Sequence, residues 1–397
     1  MNTRKITADH VLPISSEAIP QGVIVLDQQG TIVEIGRRSD YDPTELEVHS
    51  GTLVPGFINT HCHLELSHLK GVAPTGTGLI PFLQTVVAFR EVEAARIQEA
   101  IVAADQAMYD AGIVAVGDIS NKSDTAHTKN SSPIRYYTFV EMFDFMQDDG
   151  ADRAFDNYHS AFIEQSDAGK NRKSVVPHAP YTVSRRLFQK INQVNAEADN
   201  ITVSIHNQET HAENELFESK SGAFLDFYRA FQITLEDFQP TGRSSIHYAL
   251  QNMDPTHRTL FVHNTMTTVE DIRTAQAWSR DKVFWATCPN ANLYIENRLP
   301  DYREFLTTGA TVTIGTDSLT SNWQLSVLEE LKTIKRFQSY LPTGMLLRWA
   351  TLNGAKALGF EDDLGSLEVG KTPGLNLLLN LNAKGELQTD TQVRRLV

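Results

Sequence analysis

Short apolar runs alternate with helical patterns through the middle of the chain, and this alternation limits the available folds more than any other feature. Helical patterns such as residues 82–110 and 325–340 separate runs that have strand character. Eight strands with intervening helices over about 250 residues are typical of a (β/α)8 TIM-like barrel. An open doubly wound sheet is the alternative, but its glycine fingerprint is absent. We therefore predict an α/β barrel. Its predicted strands are 52–59, 112–118, 134–141, 174–178, 201–206, 259–263, 282–287 and 310–317.

The two ends of the chain have a different character. Residues 22–27 and 31–35 are predicted to form two short strands joined by a tight turn, and residues 375–379 form a short apolar strand. These segments favour a small β-sandwich domain built from both chain ends. The predicted division is an N-terminal part of the small domain at 1–54, a catalytic barrel at 55–358 and a C-terminal part of the small domain at 359–397.

Charge and cysteine content exclude several classes of protein. The chain has 49 acidic against 35 basic residues, a formal net charge of −14, which would be repelled by phosphate backbones. Two cysteines do not make a disulfide framework and indicate a reducing compartment. No signal-peptide pattern and no run of about 18 apolar residues is present. We expect a cytoplasmic protein with no nucleic-acid partner and no membrane partner.

Polar residues concentrate where the predicted strands end, which is where a barrel places its active site. His61 and His63 point the same way from the first strand, with Cys62 between them pointing the other way. His206 ends the fifth strand and Asp317 ends the eighth. Three histidines and one aspartate suit Zn²⁺ or Fe²⁺ with one position left for water. The alternative for each residue alone is a hydrogen-bonded strand end.

Several motifs together resemble the amidohydrolase superfamily, in its branch of mononuclear-metal deaminases and chlorohydrolases. The resemblance covers nearly the whole chain and implies the barrel fold together with a metal-dependent hydrolytic activity. The fourth strand carries no lysine at the end where binuclear members have a carbamylated lysine, so one metal per chain is expected. The motifs that carry the resemblance are 55–63, 177–184, 206–210, 262–263, 315–318 and 365–371.

The resemblance also implies a role for each site residue. The implied metal ligands are His61, His63, His206 and Asp317. Glu209 is the implied proton shuttle, and a carboxyl group three residues beyond a ligand is well placed for that work. His263 is implied to orient the attacking water, and Asp317 can accept a proton from it. Predicted substrate contacts are His178, Glu65, Ser318 and Asn292. For Glu65 the alternative is an exposed loop acid.

The resulting prediction is a hydrolytic deaminase with one divalent metal per chain, Zn²⁺ or alternatively Fe²⁺. It would replace the exocyclic amine of an adenine-type nucleoside, with an aminodeoxyfutalosine-like or thioadenosine-like substituent, and release ammonia. One alternative is a cyclic-amide hydrolase or triazine chlorohydrolase of the same superfamily, and another is a non-catalytic assembly protein on the same fold. The expected partner is a small-molecule substrate, and a homodimer is left open.

Overall fold

Strands that alternate with helices make up most of the chain. The structure is a computed structural model that describes residues 3–167 and 169–397. The strands are β1 (Arg4–Thr7), β2 (His10–Val11), β3 (Ile19–Pro20), β4 (Gly22–Leu26), β5 (Ile32–Arg37), β6 (Glu47–Val48), β7 (Thr52–Pro55), β8 (Phe57–Cys62), β9 (Ile113–Ser120), β10 (Arg135–Met142), β11 (Arg172–Pro177), β12 (Thr202–Asn207), β13 (Arg258–His263), β14 (Val283–Thr287), β15 (Thr311–Ile314), β16 (Leu375–Leu379) and β17 (Gln392–Arg395).

The α-helices lie mainly between the central strands. They are α1 (Leu79–Phe89), α2 (Ala94–Asp110), α3 (Ala126–Ser131), α4 (Ala151–Glu164), α5 (Arg185–Asn195), α6 (His211–Ser219), α7 (Ala223–Ala230), α8 (Ile246–Asn252), α9 (Val269–Ser279), α10 (Pro289–Glu296), α11 (Tyr302–Thr308), α12 (Val327–Phe337), α13 (Thr343–Arg348) and α14 (Gly354–Leu358). Over the described part of the chain, no helix combines the length and the apolar character that a bilayer crossing requires.

The central strands form two parallel sheets of four strands each. One has the order β8-β9-β10-β11 and the other the order β12-β13-β14-β15. The sheets meet at both edges, where the backbone N–H of His206 donates to the carbonyl of His178 (2.9 Å) and that of Thr316 donates to the carbonyl of His61 (3.0 Å). The predicted α/β class with parallel strands is confirmed. Closure into a continuous barrel stays a prediction, because the described parallel strands form two separate ladders.

The first predicted strand, residues 52–59, is wrong as a single element. It divides at Gly56 into β7, which joins the small antiparallel body, and β8, which joins the parallel sheet. A Cβ atom at Gly56 would lie 2.2 Å from Val114 Cγ1, so only glycine permits the backbone to change sheets at this point. The apolar run alone could not reveal the division, because both halves are buried.

The predicted helix 82–110 also divides, into α1 and α2. The break follows Arg90, whose carbonyl oxygen lies 3.0 Å from His68 Nε2 and whose guanidinium bonds Glu65. These contacts come from the segment after β8, which is distant in sequence. The eighth strand ends at Ile314 rather than Asp317, because the N–H groups of residues 316 and 317 turn to the carbonyl of His61.

The two remaining sheets contain the strands from the chain ends. One has the order β5-β4-β1-β6 and contains N-terminal strands alone, and the other has the order β17-β16-β7-β2-β3 and combines strands from both ends. The C-terminal β16 pairs with β7 and so ties the end of the chain to its beginning. A separate apolar cluster packs between these sheets, and it includes Ile6, Val11, Ile24, Leu53, Leu375 and Leu377. The strands predicted at 22–27, 31–35 and 375–379 are present, and the exact domain boundaries stay predictions.

Candidate active site

The four side chains predicted as metal ligands converge at the carboxyl ends of the parallel strands. His61 lies near the end of β8 and His63 directly after it, His206 lies in β12, and Asp317 follows β15. The Nε2 atom of His63 is 3.1 Å from His61 Nε2 and 3.2 Å from His206 Nε2. Asp317 Oδ1 lies 3.3 Å from His63 Nε2 and 3.5 Å from His61 Nε2. The structure thus brings together all four side chains that were predicted as metal ligands.

The chemistry of these four side chains fits a metal ion. Burial lowers the pKa of His61 and of His63 to about 4, so both imidazoles are neutral, the form that binds metals. Burial acts to raise the pKa of Asp317, but the adjacent imidazoles outweigh it and hold that pKa well below its usual range. His206 Nδ1 lies 2.9 Å from the carbonyl of His178 and must donate to it, which turns the other ring nitrogen toward His63. Imidazole nitrogens and one carboxylate are a ligand set that Zn²⁺ prefers.

Glu209 and His263 stand beside this cluster, as predicted for the catalytic pair. His263 Nε2 lies 3.7 Å from Glu209 Oε2, and both side chains are buried. Burial raises the pKa of Glu209 well above its usual range, and the charge of Asp317 adds to this against the opposing effect of His206. This raised pKa favours the protonated carboxyl group, the form that can give a proton to a bound molecule.

Left-handed backbone occurs at three positions of this site. His263 (φ 70°) and Asp317 (φ 57°) both adopt left-handed conformations, as does Gln208 (φ 48°), which precedes Glu209. Left-handed geometry is costly for residues other than glycine and is often found at functional sites. At Gln208 the turn is held by Glu213, whose carboxylate accepts the N–H groups of Gln208 (2.9 Å) and Glu209 (3.0 Å). Glu213 was not identified from the sequence.

A cavity of about 900 Å³, measured to its open mouth, lies directly over the cluster. Glu209, His263 and Asp317 border its inner end, whereas apolar side chains such as Phe82, Val86, Phe143, Phe145 and Phe227 form most of its walls. A concave apolar site with a few convergent polar groups is typical of small-molecule binding.

Two of the four predicted substrate contacts border this cavity. His178 lies on its wall with Nδ1 2.7 Å from Thr182 Oγ1, and its ring centre is 4.9 Å from that of His206. Ser318 also borders it, and its hydroxyl lies 3.0 Å from that of Ser321. Both residues are placed where a bound molecule would reach them.

Neither Glu65 nor Asn292 borders the cavity, and direct substrate contact stays a prediction for both. Glu65 Oε1 accepts from Arg90 Nη2 (3.0 Å), while Oε2 accepts the N–H of Asn121 (2.9 Å). Glu65 is also not an exposed loop acid, which was the alternative prediction, because only 3% of its surface is exposed. Asn292 lies behind His263 and bonds its ring. The Glu65 carboxylate and the side-chain oxygen of Asn292 are used within the protein, whereas Asn292 Nδ2 has no hydrogen-bond partner among the described residues.

Glu141 is the site residue that sequence reasoning missed most clearly. It lies in β10 and borders the cavity, and its Oε1 is 3.3 Å from His206 Nδ1 without a hydrogen-bond partner among the described residues. Burial alone would lower the pKa of His206, but the carboxylate of Glu141 raises it to about 9. Glu141 ends the predicted run 134–141, so the strand-end rule could have found it.

The sequence profile described as the amidohydrolase family matches residues 52–393. The chain belongs to the amidohydrolase family. This amidohydrolase is 27% identical over 366 residues to a protein named adenosine deaminase from Helicobacter pylori, covering 89% of this chain and 86% of the relative. It is 27% identical over 343 residues to an aminodeoxyfutalosine deaminase from Nitratiruptor, covering 82% and 78%.

Solved structures give the same result. The crystal structure of Helicobacter pylori aminofutalosine deaminase with methylthio-coformycin superposes with a TM-score of 0.80 at 26% identity, over 94% of this chain and 92% of that one. A zinc-bound adenosine deaminase from Xanthomonas campestris, at 24% identity and a TM-score of 0.75, covers 96% of this chain and 85% of its own, and supports the fold. With deaminases as its relatives, this amidohydrolase is a hydrolytic enzyme that acts on C–N bonds, which excludes the assembly-protein alternative.

Proposed function

We propose that this amidohydrolase deaminates adenine-type nucleosides, adding water at the ring carbon that bears the exocyclic amine and releasing ammonia. The observation that carries the proposal is the buried Glu209 beside His263 at the inner end of a cavity with apolar walls. Relatives named for adenosine, aminodeoxyfutalosine and 5′-deoxyadenosine support the same substrate class.

We infer that one divalent metal is held by His61, His63, His206 and Asp317, with Zn²⁺ as the first choice and Fe²⁺ as the alternative. Such an ion acts as a Lewis acid and lowers the pKa of water toward about 7. We also infer that the eight parallel strands close into one barrel, since the two sheets meet at both edges. The small β domain comprises 1–54 and 359–397 in this proposal, and the protein is cytoplasmic.

The chain's own residues account for the proton transfers. Glu209 gives its proton to a ring nitrogen, which makes the amine-bearing carbon electrophilic. His263 keeps a lone pair on Nε2 because Nδ1 donates to Asn292, so it accepts a hydrogen bond from the attacking water. Asp317 takes a proton from that water. The Glu209 carboxylate then takes the remaining proton of the hydroxyl now on the ring carbon and passes it to the amine, which leaves as ammonia as the C–N bond breaks and the carbonyl forms. Asp317 returns its proton to Glu209, so both carboxyl groups regain their starting forms.

The remaining cavity residues hold the ring and exclude water. His178 and Ser318 offer polar contacts close to the cluster, and the Glu141 carboxylate, which borders the cavity, accepts a hydrogen bond from the sugar or the base. Phe143 and Phe145 border the cavity with apolar surface, and a dry site strengthens the electrostatic interactions inside it.

The test is ammonia release by zinc-loaded protein, with adenosine, 5′-deoxyadenosine, 5-methylthioadenosine, S-adenosylhomocysteine, guanine and an aminotriazine as substrates. We expect turnover of one or more adenine nucleosides and none of guanine or the triazine. Glu209→Gln serves as the negative control for contaminating deaminases. Silence with every nucleoside, from protein that holds one metal per chain, would overturn the proposal and favour cyclic-amide hydrolysis or triazine dechlorination.

A further inference from the structure

A buried carboxyl group on helix α12 joins two segments of the active site. Glu330 is fully buried and does not border the cavity. Its Oε2 accepts the backbone N–H of Asn290 (2.8 Å), and its Oε1 accepts the side-chain amides of Asn290 (2.9 Å) and Asn322 (2.7 Å). A buried polar group with all of its hydrogen bonds made holds the elements around it in one arrangement.

The first link leads from Glu330 to Asp317. Asn322 Nδ2 has two hydrogens, and it donates both to Glu330 and to the carbonyl of Thr316 (2.7 Å). That carbonyl belongs to the peptide group before Asp317, whose N–H donates to the carbonyl of His61 (3.0 Å). The peptide group is therefore held at both of its polar atoms. Because Asp317 is left-handed (φ 57°), this hold fixes the direction of its side chain.

The second link leads from Glu330 to His263. Asn290 is the second residue of α10, so its backbone N–H is one of the first N–H groups that have no partner within a helix. Glu330 accepts this N–H, and a carboxylate at this end also interacts favourably with the helix dipole. Asn292 lies two residues further along the same turn, and its oxygen is 2.9 Å from His263 Nδ1. Glu330 thus anchors the turn that orients His263.

Glutamine at position 330 would break this arrangement while keeping its shape. All three groups that face the carboxyl oxygens are N–H donors, from Asn290 and Asn322. A glutamine side chain has one acceptor oxygen and two N–H donors of its own, so it would place N–H against N–H on at least one side. The two segments follow different strands, β14 and β15, and each would lose a shared anchor.

We propose that Glu330 is a positioning residue that couples the predicted metal ligand Asp317 to His263, which orients the attacking water. Glu330 contacts neither the substrate nor the metal, and it acts through Asn322 on one side and Asn290 on the other. The kinetic part of the inference rests on the proposed deaminase function, and the metal part rests on the proposed ligand set.

Glu330→Gln should weaken metal binding and slow turnover together. The Kd for Zn²⁺, measured without substrate by competition with a chelating indicator, should rise about 10- to 100-fold. The kcat for 5′-deoxyadenosine at saturating Zn²⁺ should fall about 10- to 100-fold, with KM within about 3-fold of wild type. Glu329 is the neighbouring acid on α12, and it bonds Lys332 (2.7 Å) instead. The matched control Glu329→Gln should leave both values within about 2-fold.

Two further variants separate the two links. Asn322→Leu removes the donor to the peptide group before Asp317, so the Kd for Zn²⁺ should rise at least about 10-fold, whereas kcat at saturating Zn²⁺ should stay within about 3-fold of wild type. Asn292 stands at the end of the second link. The double variant Glu330→Gln with Asn292→Leu should therefore lose less in kcat than the product of the two single losses.

A wild-type value of either Kd or kcat in Glu330→Gln would overturn the coupling, and so would multiplicative losses of kcat in the double variant. If Glu330→Gln does not fold, Asn322→Leu decides the matter, and wild-type affinity for Zn²⁺ in that variant overturns the inference. Failure of the wild type to deaminate any nucleoside would instead overturn the proposed function. The Zn²⁺ measurement on Glu330→Gln would still decide the link to Asp317, because it needs no turnover.

Discussion

The side-chain oxygen of Asn292 lies 2.9 Å from Nδ1 of His263, and both side chains are buried. A carbonyl oxygen can only accept, so the proton of a neutral ring resides on Nδ1. The lone pair is therefore on Nε2, the ring nitrogen that lies 3.7 Å from Glu209 Oε2. Asn292 thus selects the tautomer of a residue at the reaction centre without bordering the cavity.

Asn292→Leu should lower kcat about 10- to 100-fold with little change in KM, the usual cost of losing a partner behind a functional histidine. The reason is that the ring of His263 loses its preferred tautomer and orientation. Ammonia release from 5′-deoxyadenosine measures the effect. Asn292→Asp offers the same acceptor atom and should retain more activity than the leucine variant. Wild-type kcat in Asn292→Leu would contradict this role.

Glu209→Gln should keep the metal and lose at least about 10²-fold in turnover, because glutamine preserves the shape of the side chain but carries no transferable proton. Steady-state kinetics measures the loss of turnover, and metal analysis of the same sample measures the retained metal. Glu218, exposed on α6, provides the matched variant Glu218→Gln, which should change turnover by less than about 2-fold. Normal turnover in Glu209→Gln would remove this residue from the mechanism.

His61→Ala should abolish stoichiometric metal binding, because it removes one of the four side chains predicted to hold the metal. The ligand atom of each of these side chains lies within 3.5 Å of the ligand atom of another. Metal content after dialysis is the direct measurement. Chelation of the wild-type protein should also lower its Tm, and added Zn²⁺ should restore it, since a ligand that binds only the folded state stabilises that state. His127 is exposed on α3, and His127→Ala serves as the control that should keep the metal. Stoichiometric metal in His61→Ala would refute the assignment of His61 as a ligand.

Lys129 and Asp118 form a buried ion pair (2.6 Å), and Asp118 also accepts the backbone N–H of Leu64 (2.8 Å), next to His63. Lys129→Met should lower the free energy of unfolding by about 3–5 kcal/mol, because it leaves a buried carboxylate unpaired. Lys122→Met breaks a more exposed pair and should cost less than about 1 kcal/mol. Urea unfolding of both variants measures this contrast, and equal costs would contradict it.

Asp144 should make stability depend on pH. Burial raises its pKa from 3.8 to about 6, against the lowering effect of hydrogen bonds from Ser184 and Met146. The folded protein thus holds this proton more tightly than the unfolded chain. Its stabilising contribution is complete below about pH 4 and is lost as pH rises through 6, up to about 3 kcal/mol in total.

Asp144→Asn keeps the acceptor oxygen but does not titrate, so its stability relative to wild type should rise between pH 4 and pH 7. Thermal midpoints of both proteins across this range give the measurement. Asp237→Asn changes an exposed aspartate and serves as the control. A difference between Asp144→Asn and wild type that does not vary with pH would contradict the assignment.

The metal cluster could be predicted because its signal is local. His61, His63, His206 and Asp317 each stand at the end of an apolar run, and the carboxyl ends of parallel strands meet at one edge of a sheet. Glu141 obeys the same rule and was overlooked. The contact between Asn292 and His263 could not be predicted, because the two residues are 29 positions apart along the chain and no short pattern links them.

Strand and helix alternation, the family and the candidate ligand residues could be predicted from the sequence, since these depend on residue type and short spacing. The contact between Glu65 and Arg90, and the position of α1 along the cavity, come from the tertiary structure. Glu65 and Arg90 are 25 residues apart, and Asn121 completes their network from another strand end. Such contacts form only when separate elements pack together, and a chain read in one dimension holds no local pattern that specifies them.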